Sequence, residues 1–125
     1  MATEKATENG LRPRDRLRAS RDFRRVSREG RRASSQSFVV LVAQRAGATG
    51  SARVGLTVSR QVGGAVVRNR VKRRLREWFR TSRLRRSGPV DVVVIARRPA
   101  VVLETAELRA ELEALGVRAA TGAVA

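Results

Sequence analysis

The residues best suited to bind a ligand form one dense run of cations that contains a single asparagine. Arginine grips phosphate through paired hydrogen bonds, and an asparagine amide can read a base edge or hold a sugar hydroxyl. Like charges three or four residues apart on a helix repel by about 0.2 to 0.5 kcal/mol per pair. A run that accepts this repulsion favours a polyanionic partner over a merely solvated face. The run is Arg68-Asn69-Arg70-Val71-Lys72-Arg73-Arg74-Leu75-Arg76.

Composition excludes most catalytic chemistry and agrees with a polyanionic partner. The 125 residues include 28 Lys and Arg against 11 Asp and Glu, a formal net charge of +17, with no Cys and no His. Thiol catalysis, disulfides, Ser/His nucleophile pairs and zinc sites with Cys or His ligands are therefore excluded. The scattered acids, such as Asp15, Asp22 and Asp91, suggest no two-metal nuclease centre. We expect no catalytic and no metal-ligating residues in the protein.

The sequence also predicts where the chain resides. Its longest apolar run has six residues (38–43), too few to cross a bilayer. The first ten residues lack the hydrophobic stretch of a secretory signal. We therefore expect a cytoplasmic protein with no membrane partner.

The basic run is predicted on a helix that begins at Ala65. The apolar residues of this helix repeat at helical spacing and form one stripe, so the cations occupy the opposite side and its flanks. The stripe consists of Val67, Val71, Leu75, Trp78 and Phe79.

The remaining patterns predict two further helices and three strands. One helix runs from a capping Ser20 to Gly30, and the last runs from a capping Thr105 to Gly116. Runs at 37–44 and 53–60 are typical of strands joined by a hairpin loop. The run at 90–96 predicts a central strand, parallel to the previous one and reached through the basic helix. We divide the chain into a flexible arm (1–14), an RNA-binding α/β domain (15–118) and a tail (119–125).

Four motifs in this order resemble the protein subunit of bacterial ribonuclease P, from about Leu17 to Gly116. The combination of an Asn-bearing basic helix with a Val-Gly-Leu strand is specific to that family. Patterns and resemblance together predict a single-domain α+β fold, a small mixed sheet packed with three helices in αβββαβα-like order. The motifs are Asp22-Phe23-Arg24-Arg25-Val26 with Gly30, Arg53-Val54-Gly55-Leu56-Thr57-Val58-Ser59, Arg68-Asn69-Arg70, and Val93-Val94-Ile95-Ala96-Arg97-Arg98-Pro99.

The resemblance implies an endoribonuclease holoenzyme that removes the 5′ leader of precursor tRNA. Its RNA subunit is the catalyst, with Mg²⁺ bound mainly by that RNA and the substrate, no organic cofactor and no obligatory protein partner. By the same resemblance, the contacts to the catalytic RNA are Arg68, Asn69, Arg70, Lys72, Arg73 and Arg76. The cleft for the single-stranded leader would be lined by Phe23, Val39, Leu41 and Thr57. Family members often carry further aromatics where this chain has Ser27 and Leu41, so base stacking is expected to be weaker here.

Two other classes of protein also fit a basic α/β domain with a phosphate-binding helix. One is a structural ribosomal protein or general RNA chaperone, which would be recovered with ribosomal RNA. The other is a DNA-binding architectural protein, which the absence of a helix-turn-helix or an apolar wedge disfavours.

Overall fold

A computed structural model describes residues 15–17, 19–45 and 50–121. The predicted arm at 1–14 lies outside the described residues, as do 122–125 of the predicted tail. Two 3-10 turns, Arg83–Arg86 and Arg98–Val102, flank the last strand. The regular elements are α1 (Ser20–Glu29), β1 (Arg31–Ser34), β2 (Phe38–Gln44), β3 (Arg53–Val58), α2 (Ala65–Thr81), β4 (Val90–Ala96) and α3 (Thr105–Ala120). This is the predicted αβββαβα order.

The four strands form one mixed sheet in the order β1-β2-β4-β3. β4 is parallel to β3 and antiparallel to β2, so α2 is the crossover connection, as predicted. The expected hairpin between β2 and β3 is wrong, because β4 lies between them. β4 consists almost entirely of β-branched residues that are buried on both faces. Such a strand is favoured in the centre of a sheet, and here it separates β2 from β3.

β1 is the strand that no sequence pattern revealed. It has four residues at the edge of the sheet, and only Ala33 is buried. Short edge strands with charged side chains protect a sheet from further pairing, but they give neither an apolar run nor a clear alternation. Gly30 ends α1 just before it, as predicted.

Helices cover the sheet unequally on its two faces. α2 and α3 share the main core, in which Trp78, Phe38, Phe79 and Leu112 are fully buried. α1 covers a smaller cluster on the opposite face, formed by Leu17, Val26, Val39, Leu41, Ala43 and Val93. The large core fixes the sheet and α2, while the thin α1 side leaves part of the sheet near the surface. No helix within the described residues has the length and apolar character needed to cross a membrane.

The end of α3 differs from the sequence prediction. Gly116 was expected to stop this helix, yet α3 continues to Ala120, so the first two residues assigned to the tail belong to it. Leu84 explains the glycine, because a Cβ at position 116 would lie 2.7 Å from its Cδ1. Gly116 therefore permits close packing of a turn against the helix instead of ending it.

The caps of α1 and α3 also differ from the prediction. α1 begins after Ala19 without a side-chain cap, so Ser20 is its first residue. α3 is capped one residue earlier than expected, by a reciprocal pair in which Glu104 accepts from the backbone of Glu107 and Glu107 accepts from the backbone N–H of Glu104.

Candidate nucleic-acid interface

The orientation of α2 is fixed by its buried stripe. Val71, Leu75, Trp78 and Phe79 are buried, as their spacing predicted. The Trp78 indole N–H donates to Glu113 Oε2 on α3 at 2.6 Å, and its ring meets Phe79 edge to face at 6.0 Å. With these contacts on one side, the cations of α2 must lie on the outer side and along its flanks.

We call the six predicted RNA contacts on α2 the basic face: Arg68, Asn69, Arg70, Lys72, Arg73 and Arg76. Asn69, Arg70 and Arg73 are exposed, and the other three are half-buried along the flanks. The structure thus brings all six to one helix surface.

The basic face has little internal compensation. Glu77, the single acid of α2, binds Arg80 (Nε to Oε1, 3.3 Å), and the hydrogen bond from Arg80 lowers the pKa of Glu77 below its ordinary value. Among the described residues, the side chains of Arg70, Lys72 and Arg73 form no hydrogen bond or ion pair. Unpaired cations crowded in this way are stabilised by a polyanion.

Arg74 belongs to the same basic run but has a structural contact that its neighbours lack. Its Nη2 donates to the backbone carbonyl of Leu103 at 2.5 Å, so it holds α2 to the segment that precedes α3. Arg68 is shared between roles, because its Nε donates to the carbonyl of Gly63 at 3.1 Å while the rest of the guanidinium stays available.

Arg16 extends the cationic surface and was given no role from the sequence. It forms a β-bridge to Val54 and lines a cavity of about 260 Å³ together with Lys72 and Arg76. Its Nε is buried without a hydrogen-bond partner in the described part of the chain. The pairing of residue 16 with residue 54 has no local signal, so sequence patterns could not reveal this site.

The four residues expected to line the leader cleft lie where α1 packs against the sheet, and we keep the name cleft for the surface beside this contact. Phe23 rests on Gly55, so closely that a Cβ at Gly55 would lie 2.5 Å from the Phe23 Cζ. Gly55 is therefore required for the aromatic ring to reach the sheet. The residue beyond it on the same face of β3, Thr57, is exposed.

One row of paired residues runs across three strands beneath this cleft. Val39 on β2 pairs with Ile95 on β4, which in turn pairs with Thr57 on β3. Ile95 is half-buried and was absent from the residues expected from the sequence. Ile95 lies between Val39 and Thr57 because of the register of the three strands, and residue spacing within one strand cannot predict that register.

The four residues expected to line the cleft differ in accessibility. Val39 is 2% exposed and Leu41 is 5% exposed, both beneath α1. Phe23 is half-buried and Thr57 is exposed. The surface open to a ligand is therefore formed by Phe23, Thr57 and Ile95, while Val39 and Leu41 support it from below.

The cleft continues into a groove at the carboxyl ends of β3 and β4. This groove has a volume of about 510 Å³ and is lined by Ile95, Arg97, Arg98 and residues of the β3–α2 loop. Arg98 Nε donates to the carbonyl of Gln61 at 3.2 Å, and Arg97 Nη1 donates to the carbonyl of Ser35 at 2.8 Å. Apolar surface is thus directly followed by cationic surface. Proteins that bind single-stranded nucleic acid combine these two surfaces, one for the bases and one for the phosphates.

At the other end of the cleft, one buried carboxylate binds three arginines. Asp91 accepts from Arg53 Nε and Nη2 and from Arg45 Nη1, each at 2.8 Å, and also from Arg25 of α1. Burial by itself would raise the pKa of Asp91, but the hydrogen bonds from Arg53 and Arg45 outweigh it and hold the pKa below its ordinary value. Asp91 is therefore ionised and engaged. No group of three or more acidic side chains able to hold a metal ion occurs in the described residues.

Comparisons with known proteins agree on one family. The family model described as Ribonuclease P matches residues 11–120. A ribonuclease P protein component from Syntrophobacter fumaroxidans is 44% identical over 106 residues, 84% of this chain and 87% of that protein. One from Nocardioides is 46% identical over 99 residues, 78% of this chain and 85% of that protein.

Solved structures give the same result. The RNase P protein of Staphylococcus aureus superposes with a TM-score of 0.72 at 31% identity, covering 86% of this chain and 96% of that one. The RNase P protein of Thermotoga maritima superposes with a TM-score of 0.67 at 32% identity, covering 82% and 96%.

Proposed function

Because the chain belongs to the ribonuclease P protein family, we propose that it binds a catalytic RNA through the basic face and the 5′ leader of precursor tRNA in the cleft. The complex would remove the leader endonucleolytically and leave the mature 5′ end of the tRNA. The protein side chains bind and orient the two RNAs, and none acts on the scissile phosphate. Mg²⁺, held mainly by the catalytic RNA and the substrate, would activate the attacking water.

Three cations of the basic face carry this proposal. Arg70, Lys72 and Arg73 project from a rigid helix with no internal partner in the described residues, and Asn69 lies among them. A helix docked by Trp78 and Phe79 on its inner side can present these groups to RNA phosphates without further ordering.

The cleft supports binding of a single strand. Phe23 offers a half-buried aromatic ring, Ile95 and Thr57 offer a shallow floor, and Arg97 and Arg98 follow at its end. Stacking of one base on an aromatic side chain contributes about 1 to 3 kcal/mol. Since Ser27 on the same helix is not aromatic, the leader is proposed to depend more on arginine contacts than on a second stack.

Reconstitution tests the proposal. The protein, a bacterial ribonuclease P RNA and a precursor tRNA are combined at a Mg²⁺ concentration too low for efficient cleavage by the RNA alone. We expect no cleavage by the protein alone and a rise in leader removal when protein and RNA are combined. Unchanged turnover would contradict the proposal. Recovery of ribosomal RNA, instead of one compact RNA, after a high-salt wash would favour a structural ribosomal protein or a general RNA chaperone.

A further inference from the structure

The Asp91 cluster joins three segments of the chain through a single carboxylate. Arg25 comes from α1, Arg45 follows β2, and Arg53 begins β3. Asp91 itself is 0% exposed, so no ligand can reach it in the folded protein. The cluster therefore acts within the protein, and its role must be sought in what it holds together.

Within the described residues α1 has few other attachments to the sheet: Phe23 rests on Gly55, and Arg25 Nη1 also donates to the carbonyl of Gln44 at 3.4 Å. Val26 is the only fully buried residue of the helix. α1 carries four arginines and two acids, and one of the acids, Asp22, attracts Arg53 of β3. Arg25, in contrast, shares the Asp91 carboxylate with Arg45 and Arg53, and these three cations would repel one another if that carboxylate were removed.

The ion pair lies close to the aromatic contact of the cleft. Arg25 is two residues from Phe23 along α1. Asp91 pairs in register with Arg53, two residues before the Gly55 on which Phe23 rests, a separation of about 7 Å along a strand. Because both residues belong to one short helix, a shift of α1 at the ion pair is expected to move the Phe23 ring as well.

We propose that the Arg25–Asp91 ion pair is a positioning contact for the leader cleft, holding α1 at the distance from the sheet that places Phe23 over Gly55. This inference rests on the proposed function. Arg25 and Asp91 act through Phe23, whereas Arg45 and Arg53 use the same carboxylate to hold the sheet end and the segment after β2.

Matched variants separate positioning from general stability. Arg25→Met and Arg45→Met each remove one arginine from the same carboxylate and keep an apolar stem, but only Arg25 belongs to α1, since the other hydrogen bonds of Arg45 in the described residues go to the carbonyls of Val90 and Ser51. The measured quantity is the ratio of holoenzyme affinity for precursor tRNA to its affinity for mature tRNA. We expect Arg25→Met to lower this ratio at least about fivefold, the loss of one stacked base, and Arg45→Met to leave it unchanged.

A buried variant excludes a direct contact between Arg25 and the leader. Asp91→Asn cannot touch RNA, so it should lower the ratio as Arg25→Met does, and Arg25→Lys should restore part of it. Fluorescence of Trp78, the single tryptophan, which lies on the other face of the sheet, reports whether each variant folds. If Asp91→Asn does not fold, combining Arg25→Met with Phe23→Ala decides, because a residue that acts through Phe23 should lower the ratio no further than Phe23→Ala alone.

Failure of the positioning role and failure of the proposed function give different results. A wild-type ratio in folded Arg25→Met protein would overturn the positioning role, and so would a wild-type ratio in folded Asp91→Asn protein. If the unaltered holoenzyme shows no preference for precursor over mature tRNA, leader binding by the proposed function fails, whatever the variants do.

Discussion

Gly55 determines how closely Phe23 can approach the sheet. A Cβ at this position would lie 2.5 Å from Phe23 Cζ and 2.9 Å from Cε1. Gly55→Ala should therefore lift the ring, lower the free energy of unfolding by about 1 to 3 kcal/mol and weaken binding of leader-bearing substrate. Urea unfolding followed by Trp78 fluorescence measures the first effect.

Gly64 provides the matched control for Gly55. Apart from its chain neighbours, no atom of the described residues lies within 4 Å of a Cβ built there, and the residue is the N-cap of α2 with a φ of −72°. Gly64→Ser should cost no stability, because serine is a favoured N-cap. Equal stability of both variants would show that Phe23 does not need the space above Gly55.

Asp91 predicts a specific dependence of stability on pH. Its pKa in the folded protein lies below the ordinary value, so its contribution is complete above the unfolded pKa of about 4 and is lost as the pH falls through the folded value. Arg53→Met removes the strongest pKa-lowering partner. The variant should lose less stability than the wild type between about pH 5 and about pH 3, by on the order of 1 kcal/mol. Parallel losses would contradict an ionised Asp91 held by Arg53.

At the scale of elements, α2 is expected to carry most of the salt-sensitive binding to the catalytic RNA. Replacing Arg68, Arg70 and Arg73 with Ala should reduce the slope of log affinity against log salt by about 0.7 to 0.9 for each RNA phosphate that the variant no longer binds. Filter binding over a range of salt concentrations measures the slope.

A second triple variant controls for net charge. Arg28, Arg31 and Arg118 are exposed cations on α1, β1 and α3, away from α2. Replacing them removes the same charge, so a position-specific interface predicts a much smaller change in slope. Equal changes would mean that overall charge, and not the basic face, drives binding.

The elements also show what the sequence could and could not predict. The stripe ending in Trp78 and Phe79 predicted α2 and its outer face correctly, because a repeat along one helix is a local property. The hairpin between β2 and β3 was wrong, because the choice of neighbours in a sheet depends on β4, which comes more than thirty residues after β3 begins. For the same reason, Ile95 and Arg16 became visible as parts of the interface only once strand register was known.

At the scale of the whole molecule, the acids are used internally and the excess of cations remains outside. Asp91 holds three arginines, Glu77 holds Arg80, and Glu113 holds the Trp78 indole. Glu111 accepts from Ser35, and Glu107 helps to cap α3. The net charge of +17 is thus presented by arginines that have few acidic neighbours. The sequence predicted the excess but not how the acids are engaged, since each of these pairs except Glu77–Arg80 joins distant segments or closes a cap.

The proposed function needs two surfaces, the basic face for the catalytic RNA and the cleft for the leader. The most direct test compares the catalytic RNA alone with the RNA plus protein, using precursor tRNA and mature tRNA as ligands at one fixed salt concentration. We predict that the protein raises the affinity for precursor tRNA at least about fivefold more than the affinity for mature tRNA, because the proposed contact of the cleft is with the leader, which mature tRNA lacks. An equal rise for both ligands, or no rise for either, would contradict a cleft that binds the leader.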